Sequence, residues 1–307
     1  MKNHNIKIGF IGQGFVGKNH ADDYERRGYD IVRYALEEPF VHNKAKIGEC
    51  DIVFIAVPTP TNPEGFDASI VAGAIALVKK GKTAVIKSTV LPGTTERLQK
   101  QFPDRFVLHA PEFLSESTAA RDAAFPTRNI VGIPISSPKY RAKAKEVLST
   151  LPHAPYSIIC SAREAELIKY ARNCAGFTRV IFTNILYDLA QSQGAAWSVI
   201  QGAMSADPDN GPTYTNPLHK SGRGAGGHCF IKDFAAFREI YQSAVGDPLG
   251  AAVISALEEK NIDLLLSTQK DLDLLEGVYG ARVTRKAAQK KKPVRSPLSK
   301  RKAPRAR

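Results

Sequence analysis

The chain of 307 residues is 43% hydrophobic and carries a formal net charge of +13, enough apolar material for a large core in two domains. No apolar run is long enough to span a membrane, the first residues show no secretory leader, and Cys50, Cys160, Cys174 and Cys229 form no C-x-x-C pair that would point to a metal or a disulfide framework. A reduced, cytoplasmic setting is therefore expected, and the charge stops suggesting nucleic acid once it is located: twelve basic residues and no acid fall in 281–307, leaving 31 basic against 30 acidic side chains in 1–280.

The first element is an apolar strand, "IKIGFI", followed by a glycine turn and a helix. Gly12, Gly14 and Gly17 fit G-x-G-x-x-G in the strand-to-helix setting of a dinucleotide site. Its first two glycines let the chain turn and approach a pyrophosphate, and the third lets helix and strand pack closely. The phosphates would face the helix N-terminus at Phe15 and Val16, where free N–H groups favour anions. The bland alternative is a glycine-rich turn in some other doubly wound protein. A second strand at 30–34 should lead to an acid for the adenosine ribose. Ala35 occupies the expected position, and Glu37 follows two residues later. No arginine follows directly to meet a 2′-phosphate, so NAD is expected rather than NADP.

Further strands at "CDIVFIAV", "KTAVIKS", "RFVLHA" and "RNIVGI" alternate with helical stretches. That order predicts an α/β, doubly wound, Rossmann-like parallel sheet over 1–160. Ligands in such sheets lie beyond the carboxyl ends of the strands, which puts residues 58–61, Ser88, Thr89 and residues 112–116 round one crevice. From Arg163 apolar residues recur at helical spacing without a proline as far as Gly194, opening a helical region expected over 161–279. A connection rich in glycine and proline at 207–227 delivers "GRGAGGHCFIKD", and helical texture resumes after it. Residues 280–307 have almost no large apolar side chains and are expected to be a disordered basic tail, able to contact polyanions non-specifically.

Four segments in this order, "IGQGFVG", "FIAVPTP", "PEFLSES" followed by "AELIKYARN", and "GRGAGGHCFIKD", together resemble the UDP-glucose/GDP-mannose dehydrogenases over about residues 6–277. The last motif is the most specific. The resemblance implies oxidation of the primary alcohol of a nucleotide sugar, UDP-glucose first among them, to a carboxylate with two NAD. Cys229 would be the nucleophile: its thiolate adds to the intermediate aldehyde, the thiohemiacetal loses a second hydride to become a thioester, and water releases the acid. The glycines would let this loop lie against the sugar. Lys169 and Asn173, four apart and so on one helix face, would stabilise the oxyanion. Glu116 would be the base for hydrolysis with Thr89 holding water, and Asp233 would orient Lys169 or that water. Lys169 would also lower the thiol pKa towards neutrality. Substrate contacts are implied for Glu112, Phe113, Leu114, Lys169, Gly226 and Lys220, the last towards the nucleotide phosphates. Cofactor contacts are implied for Gly12, Gly14, Phe15, Val16, Gly17, Glu37, Pro58, Thr59, Thr89 and Glu116. A homodimer through the helical region is also implied.

Several features depart from that pattern. Only positions 35–49 separate the second strand from "CDIVFIAV", where relatives insert helices; the ribose acid is displaced; and Ile231 stands where proline is common. Relatives continue past the helical region into a second nucleotide-binding domain, where this sequence has its basic tail. A rival reading follows, a non-catalytic or trans-complemented dimerising homologue, against which the complete set Cys229, Lys169, Asn173, Glu116 and Asp233 argues. A hydroxyacid dehydrogenase of related architecture would employ a lysine but leave Cys229 without a task. A nucleic-acid-binding role rests on the tail alone.

Overall fold

The structure, a computed structural model, describes residues 6–285; most of the expected basic tail lies outside the described residues. β1 (Ile8–Ile11) is buried along its whole length and passes through Gly12 into α1 (Phe15–Arg26). β2 (Ile31–Tyr34) returns beside it, and the short link at 35–49 forms only a 3-10 turn (Val41–Asn43) and α2 (Lys44–Ile47). There follow β3 (Ile52–Ile55), a small hairpin of β4 (Thr61–Asn62) and β5 (Gly65–Phe66), α3 (Ser69–Ala76), β6 (Thr83–Ile86), α4 (Thr94–Gln101) and β7 (Phe106–His109). α5 (Ala119–Ala124), β8 (Arg128–Ile133), α6 (Pro138–Thr150) and β9 (Tyr156–Ser161) close the sheet. β1, β3, β6 and β7 are buried on both faces, which is why they read as unbroken apolar runs rather than alternating ones.

The sheet runs β2-β1-β3-β6-β7-β8-β9. Its pairs are parallel except for β7 with β8, which meet antiparallel at His109 and Gly132. The doubly wound expectation stands, with "RNIVGI" corrected in direction. A parallel return needs a crossover of about a dozen residues, usually a helix, whereas the 110–127 link spends its length on the "PEFLSES" loop and holds only the short α5. β9 was not anticipated; half exposed at the sheet edge, it carries little apolar signal. One core layer gathers Ile55, Val71, Ile75 and Ile86, and the opposite layer Phe10, Tyr24, Phe54 and Leu108. β2 lies on one side of β1 and β3 on the other, so the winding reverses at β1 and opens a crevice at its carboxyl end.

α7 (Ala162–Ser192) leaves β9 directly. Ser161 Oγ accepts from Glu164 N at 3.2 Å while Glu164 Oε2 accepts from Ser161 N at 2.7 Å, the reciprocal capping box. One turn on, the buried Glu166 carboxylate accepts from Gly93 N (2.6 Å), Thr95 N (2.8 Å) and Thr95 Oγ1 (2.7 Å). It thereby caps α4, which has no cap of its own, and ties α7 to the first domain. The chain continues through α8 (Trp197–Ala206), a hairpin of β10 (Leu218–His219) and β11 (Gly222–Arg223), α9 (Gly227–Ala244), α10 (Pro248–Thr268) and α11 (Leu272–Tyr279). Phe177 and Phe234 stack at 3.7 Å to fasten α7 to α9, with Ile181, Ile254 and Leu264 in the same core. α11 folds back so that Leu275 joins Ile231 and Leu265, with Val283 packed against them. Val283, expected in the tail, therefore packs on this core. Among the described residues no helix is long and apolar enough to cross a membrane.

Candidate active site

The glycine turn between β1 and α1 is built for close approach. Gly12 has φ +90°, and a Cβ there would lie 2.2 Å from Ala56 O. A Cβ on Gly17 would sit 1.8 Å from Gly12 O, so only glycine lets α1 come this near the turn. Beside Gly14, by contrast, nothing lies within 4 Å. That open space adjoins a helix start with neither a side-chain cap nor an acidic residue in its first turn, the setting a pyrophosphate takes. The residues present thus fit a dinucleotide. Phe15 and Val16 supply the first turn of α1, and Glu37 is exposed just past β2, with no hydrogen bond to its carboxylate among the described residues. Thr59 is buried in the loop after β3 and Pro58 is exposed there. Ser88 Oγ accepts from Val57 N (3.0 Å) and donates to Val57 O (2.7 Å), holding that loop to the end of β6 where Thr89 follows, half-buried.

The second group of residues converges from three elements. Lys169 on α7 is buried, and its Nζ donates to Glu112 Oε1 and Glu112 O, both at 2.8 Å. Glu112 Oε2 accepts from Leu114 N at 2.7 Å, which folds the "PEFLSES" loop over its own carboxylate. Phe113 lies between cations: Arg128 covers its ring at 3.9 Å and the Lys169 ammonium stands 5.7 Å from the centroid. One turn along α7, Asn173 Nδ2 donates to Asp233 Oδ2 at 2.6 Å, and Asp233 Oδ1 takes Lys232 Nζ at 2.5 Å. Cys229 and Asp233 are four apart on α9 and so share a face. The charges acting on the Cys229 thiol come from Asp233, Lys169, Lys232 and Glu112. These residues therefore lie within electrostatic reach of the thiol. Glu116 stands further out, exposed and paired with Lys220 at 2.5 Å, and that lysine holds the Glu116 carboxyl below its usual range.

Three expectations are corrected here. The partner of Lys169 is Glu112, not Asp233, which spends its carboxylate on Asn173 and Lys232. The Cys229 thiol pKa is raised, not lowered: although the residue is exposed, protein crowds its sulfur, and burial together with the Asp233 carboxylate outweighs Lys169 and Lys232. Three of the four glycines of "GRGAGG", Gly222, Gly224 and Gly226, lie against the protein itself, whereas beside Gly227, at φ +78°, nothing lies within 4 Å. A Cβ on Gly226 would meet Asp271 Oδ2 at 1.9 Å, and those on Gly222 and Gly224 would meet Thr268 and Asn261 at 2.4 and 3.0 Å.

The raised thiol pKa has a measurable consequence. Only the thiolate reacts with iodoacetamide, so labelling of Cys229 should climb continuously from pH 7 to pH 9. Peptide mapping checks this, and a plateau beginning below pH 7 would contradict the assigned environment.

Sequence reasoning missed Lys87, at the end of β6. It is buried, its Nζ reaches Ala110 O at 3.4 Å, and burial pushes its pKa down to about 8 against the opposing pull of Glu112. Beside it His109 is neutral, held down to about 3 by burial and then by Lys87 and Lys169. A lysine closing an apolar strand was the available signal.

Two stretches match successive parts of one family: residues 38–151 match the NAD binding domain of the UDP-glucose/GDP-mannose dehydrogenase family, and residues 163–262 its central domain. The first match begins beyond the glycine turn. A putative UDP-glucose 6-dehydrogenase of Bacillus subtilis is 30% identical over 78% of this chain, and the chain spans 57% of that protein. A UDP-glucose 6-dehydrogenase of Streptococcus pneumoniae is 28% identical over 78% of this chain and 71% of its own length. The fold matches a UDP-glucose dehydrogenase structure from Pyrobaculum islandicum with a TM-score of 0.72 at 24% identity, over 92% of this chain and 79% of that one. With both domains matched in order, the chain belongs to the UDP-glucose/GDP-mannose dehydrogenase family.

Proposed function

We propose that the protein oxidises the primary alcohol of a nucleotide sugar to the carboxylate, with Cys229 as the covalent nucleophile. The observation that carries this reading is the joint presentation of Cys229 and Asp233 from α9 to Lys169 and Asn173 from α7. The Gly12–Gly17 turn would hold NAD, which would supply the hydride acceptor, one molecule for each of the two hydrides. Lys169 and Asn173 donate hydrogen bonds to the substrate oxygen, and donors already fixed by Glu112 and Asp233 need no reorganisation as charge develops. Loss of the first hydride from the alcohol carbon, with the hydroxyl proton passing to solvent, gives the aldehyde. The Cys229 sulfur then adds to the aldehyde carbon while the thiol proton passes to the carbonyl oxygen. Loss of the second hydride, with that proton released to solvent, leaves a thioester at Cys229. Water attacks that carbonyl, the ionised Glu116 takes the proton of the water, and the thiolate departs. The Glu116–Lys220 pair lies at the rim, where Lys220 can turn to a phosphate of the substrate. The names of the relatives favour UDP-glucose.

Purified protein should form two NADH for each UDP-glucose consumed, followed by absorbance against chromatographic assay of the sugar. No turnover with any UDP- or GDP-sugar would favour a non-catalytic homologue, and one NADH per sugar a simple alcohol dehydrogenase.

A homodimer belongs to the same reading. Phe182, Ile185 and Leu189 line one exposed face of α7, and Val253 and Leu249 stand exposed on α10. Large apolar side chains at helical spacing are normally covered, and a second copy of this chain would cover them. Light scattering at micromolar concentration should return twice the chain mass of 33.5 kDa; a monomer would refute the pairing.

A further inference from the structure

The loop ahead of Cys229 has its backbone held by side chains from α10 and the turn into α11. Thr268 Oγ1 accepts from Arg223 N at 3.1 Å, and Lys270 Nζ donates to Gly224 O at 2.9 Å. Asn261 meets both polar groups of Ala225, accepting from its N at 2.7 Å and donating to its O at 3.0 Å. Asp271 Oδ2 accepts from Gly227 N at 2.7 Å, the first N–H of the helix that carries Cys229. Asn261 and Lys270 are only 2% and 3% exposed.

Neither the burial nor the backbone of this turn comes free. Burial opposes the Lys270 charge, and its pKa falls for that reason. Gln269 and Asp271 both hold positive φ, at +58° and +52°, a conformation that is costly for non-glycine residues and persists only where surroundings impose it. The glycines supply the complementary half. They let the loop lie against these side chains, while giving it a backbone that would otherwise be the loosest in the domain. Of the four holding residues only Asn261 falls within 163–262, the stretch matched to the central domain of the family.

We infer that Asn261, Lys270 and Asp271 are positioning residues for the nucleophile, acting through the backbone of residues 224–227 and the first turn of α9. The role rests on the reading of Cys229 as nucleophile; the contacts do not. A displaced nucleophile loses near-attack geometry, and about 1 Å is worth roughly 10²-fold in rate. The binding of NAD, on the first domain, should be indifferent.

The test compares Asp271→Ala, Asp271→Asn and Lys270→Met with the parent. It reads kcat and KM with UDP-glucose, NAD affinity by fluorescence, and the rate of Cys229 labelling by iodoacetamide from peptide mass. Asp271→Ala should lose about 10²-fold in kcat and change the labelling rate severalfold, with KM and NAD affinity held within about twofold. Asp271→Asn keeps an oxygen that accepts from Gly227 N and should recover most of both losses. Should Asp271→Ala fail to fold, Lys270→Met, which keeps the buried stem and loses the bond to Gly224 O, carries the same expectation. Parental kcat and labelling in the folded variants would overturn the inference, as would equal losses in the Ala and Asn variants. If the parent turns over no nucleotide sugar, the reading of the reaction fails separately. Labelling that changes with Asp271→Ala and returns with Asp271→Asn then supports the clamp, and unchanged labelling refutes it.

Discussion

Cys229→Ala should bind NAD with the affinity of the parent and form no carboxylate, a fall in kcat of roughly 10⁴-fold or more, as expected when a covalent nucleophile is removed. The two effects separate because they lie on different elements. NAD is expected on the turn between β1 and α1, where Gly12 and Gly17 are pressed between Ala56 and the helix, while Cys229 stands in the first turn of α9. The substitution leaves little structural debt, since the loop is held by backbone bonds that the Cys229 side chain does not make. Calorimetric binding of NAD and a mass-spectrometric assay for the uronate check both halves. Uronate formed at the parent rate by the variant would falsify the covalent route.

Lys169→Met should be costly twice. Lys169 and Glu112 are 5% and 9% exposed in their side chains and lie 2.8 Å apart. Removing one member of such a pair strands the other charge, at a cost of about 3–5 kcal/mol. Lys87 is close enough to feel Glu112 and can take up part of that charge, so the loss should fall towards the lower end. Activity should drop by about 10²–10³-fold, the usual consequence of losing one preorganised oxyanion donor. Adding Glu112→Gln separates the two. The neutral amide still accepts from Leu114 N and removes the stranded carboxylate, so the double variant should regain much of its stability and none of its turnover. Denaturant melts and NADH assays on the four proteins give the cycle. Recovery of activity along with stability would show that Lys169 serves only the fold.

Locally encoded features were legible residue by residue. The unbroken apolar strands, the spacing of Gly12, Gly14 and Gly17, and the long helix beginning near Arg163 all depend on neighbours within a few positions, which the sequence displays directly. The four-residue spacing of Lys169 with Asn173 is of the same kind, since a helix puts such residues on one face whatever it packs against. That of Cys229 with Asp233 was not read so, because helix was expected only after Asp233, whereas α9 begins at Gly227. β9 was lost because a half-exposed edge strand carries neither a clean alternation nor a continuous apolar run.

What the sequence by itself determined, then, was which residues share an element and a face, and through its motifs which family to expect. Which side chains meet across elements was decided only by the tertiary structure. Lys169 finds Glu112 across 57 positions of chain, Asn173 finds Asp233 across 60, and Ala225 finds Asn261 across 36. The sign of the Cys229 shift belongs to the same class: Lys169 and Asp233 are both within reach of the thiol, and the balance between them depends on burial that no spacing records. The glycines of "GRGAGG" were rightly read as marking close contact, but a missing Cβ says only that something comes near. For Gly222, Gly224 and Gly226 the neighbours are α10 and the turn into α11, because a polar loop backbone packed there must find its hydrogen bonds in the side chains it lies against.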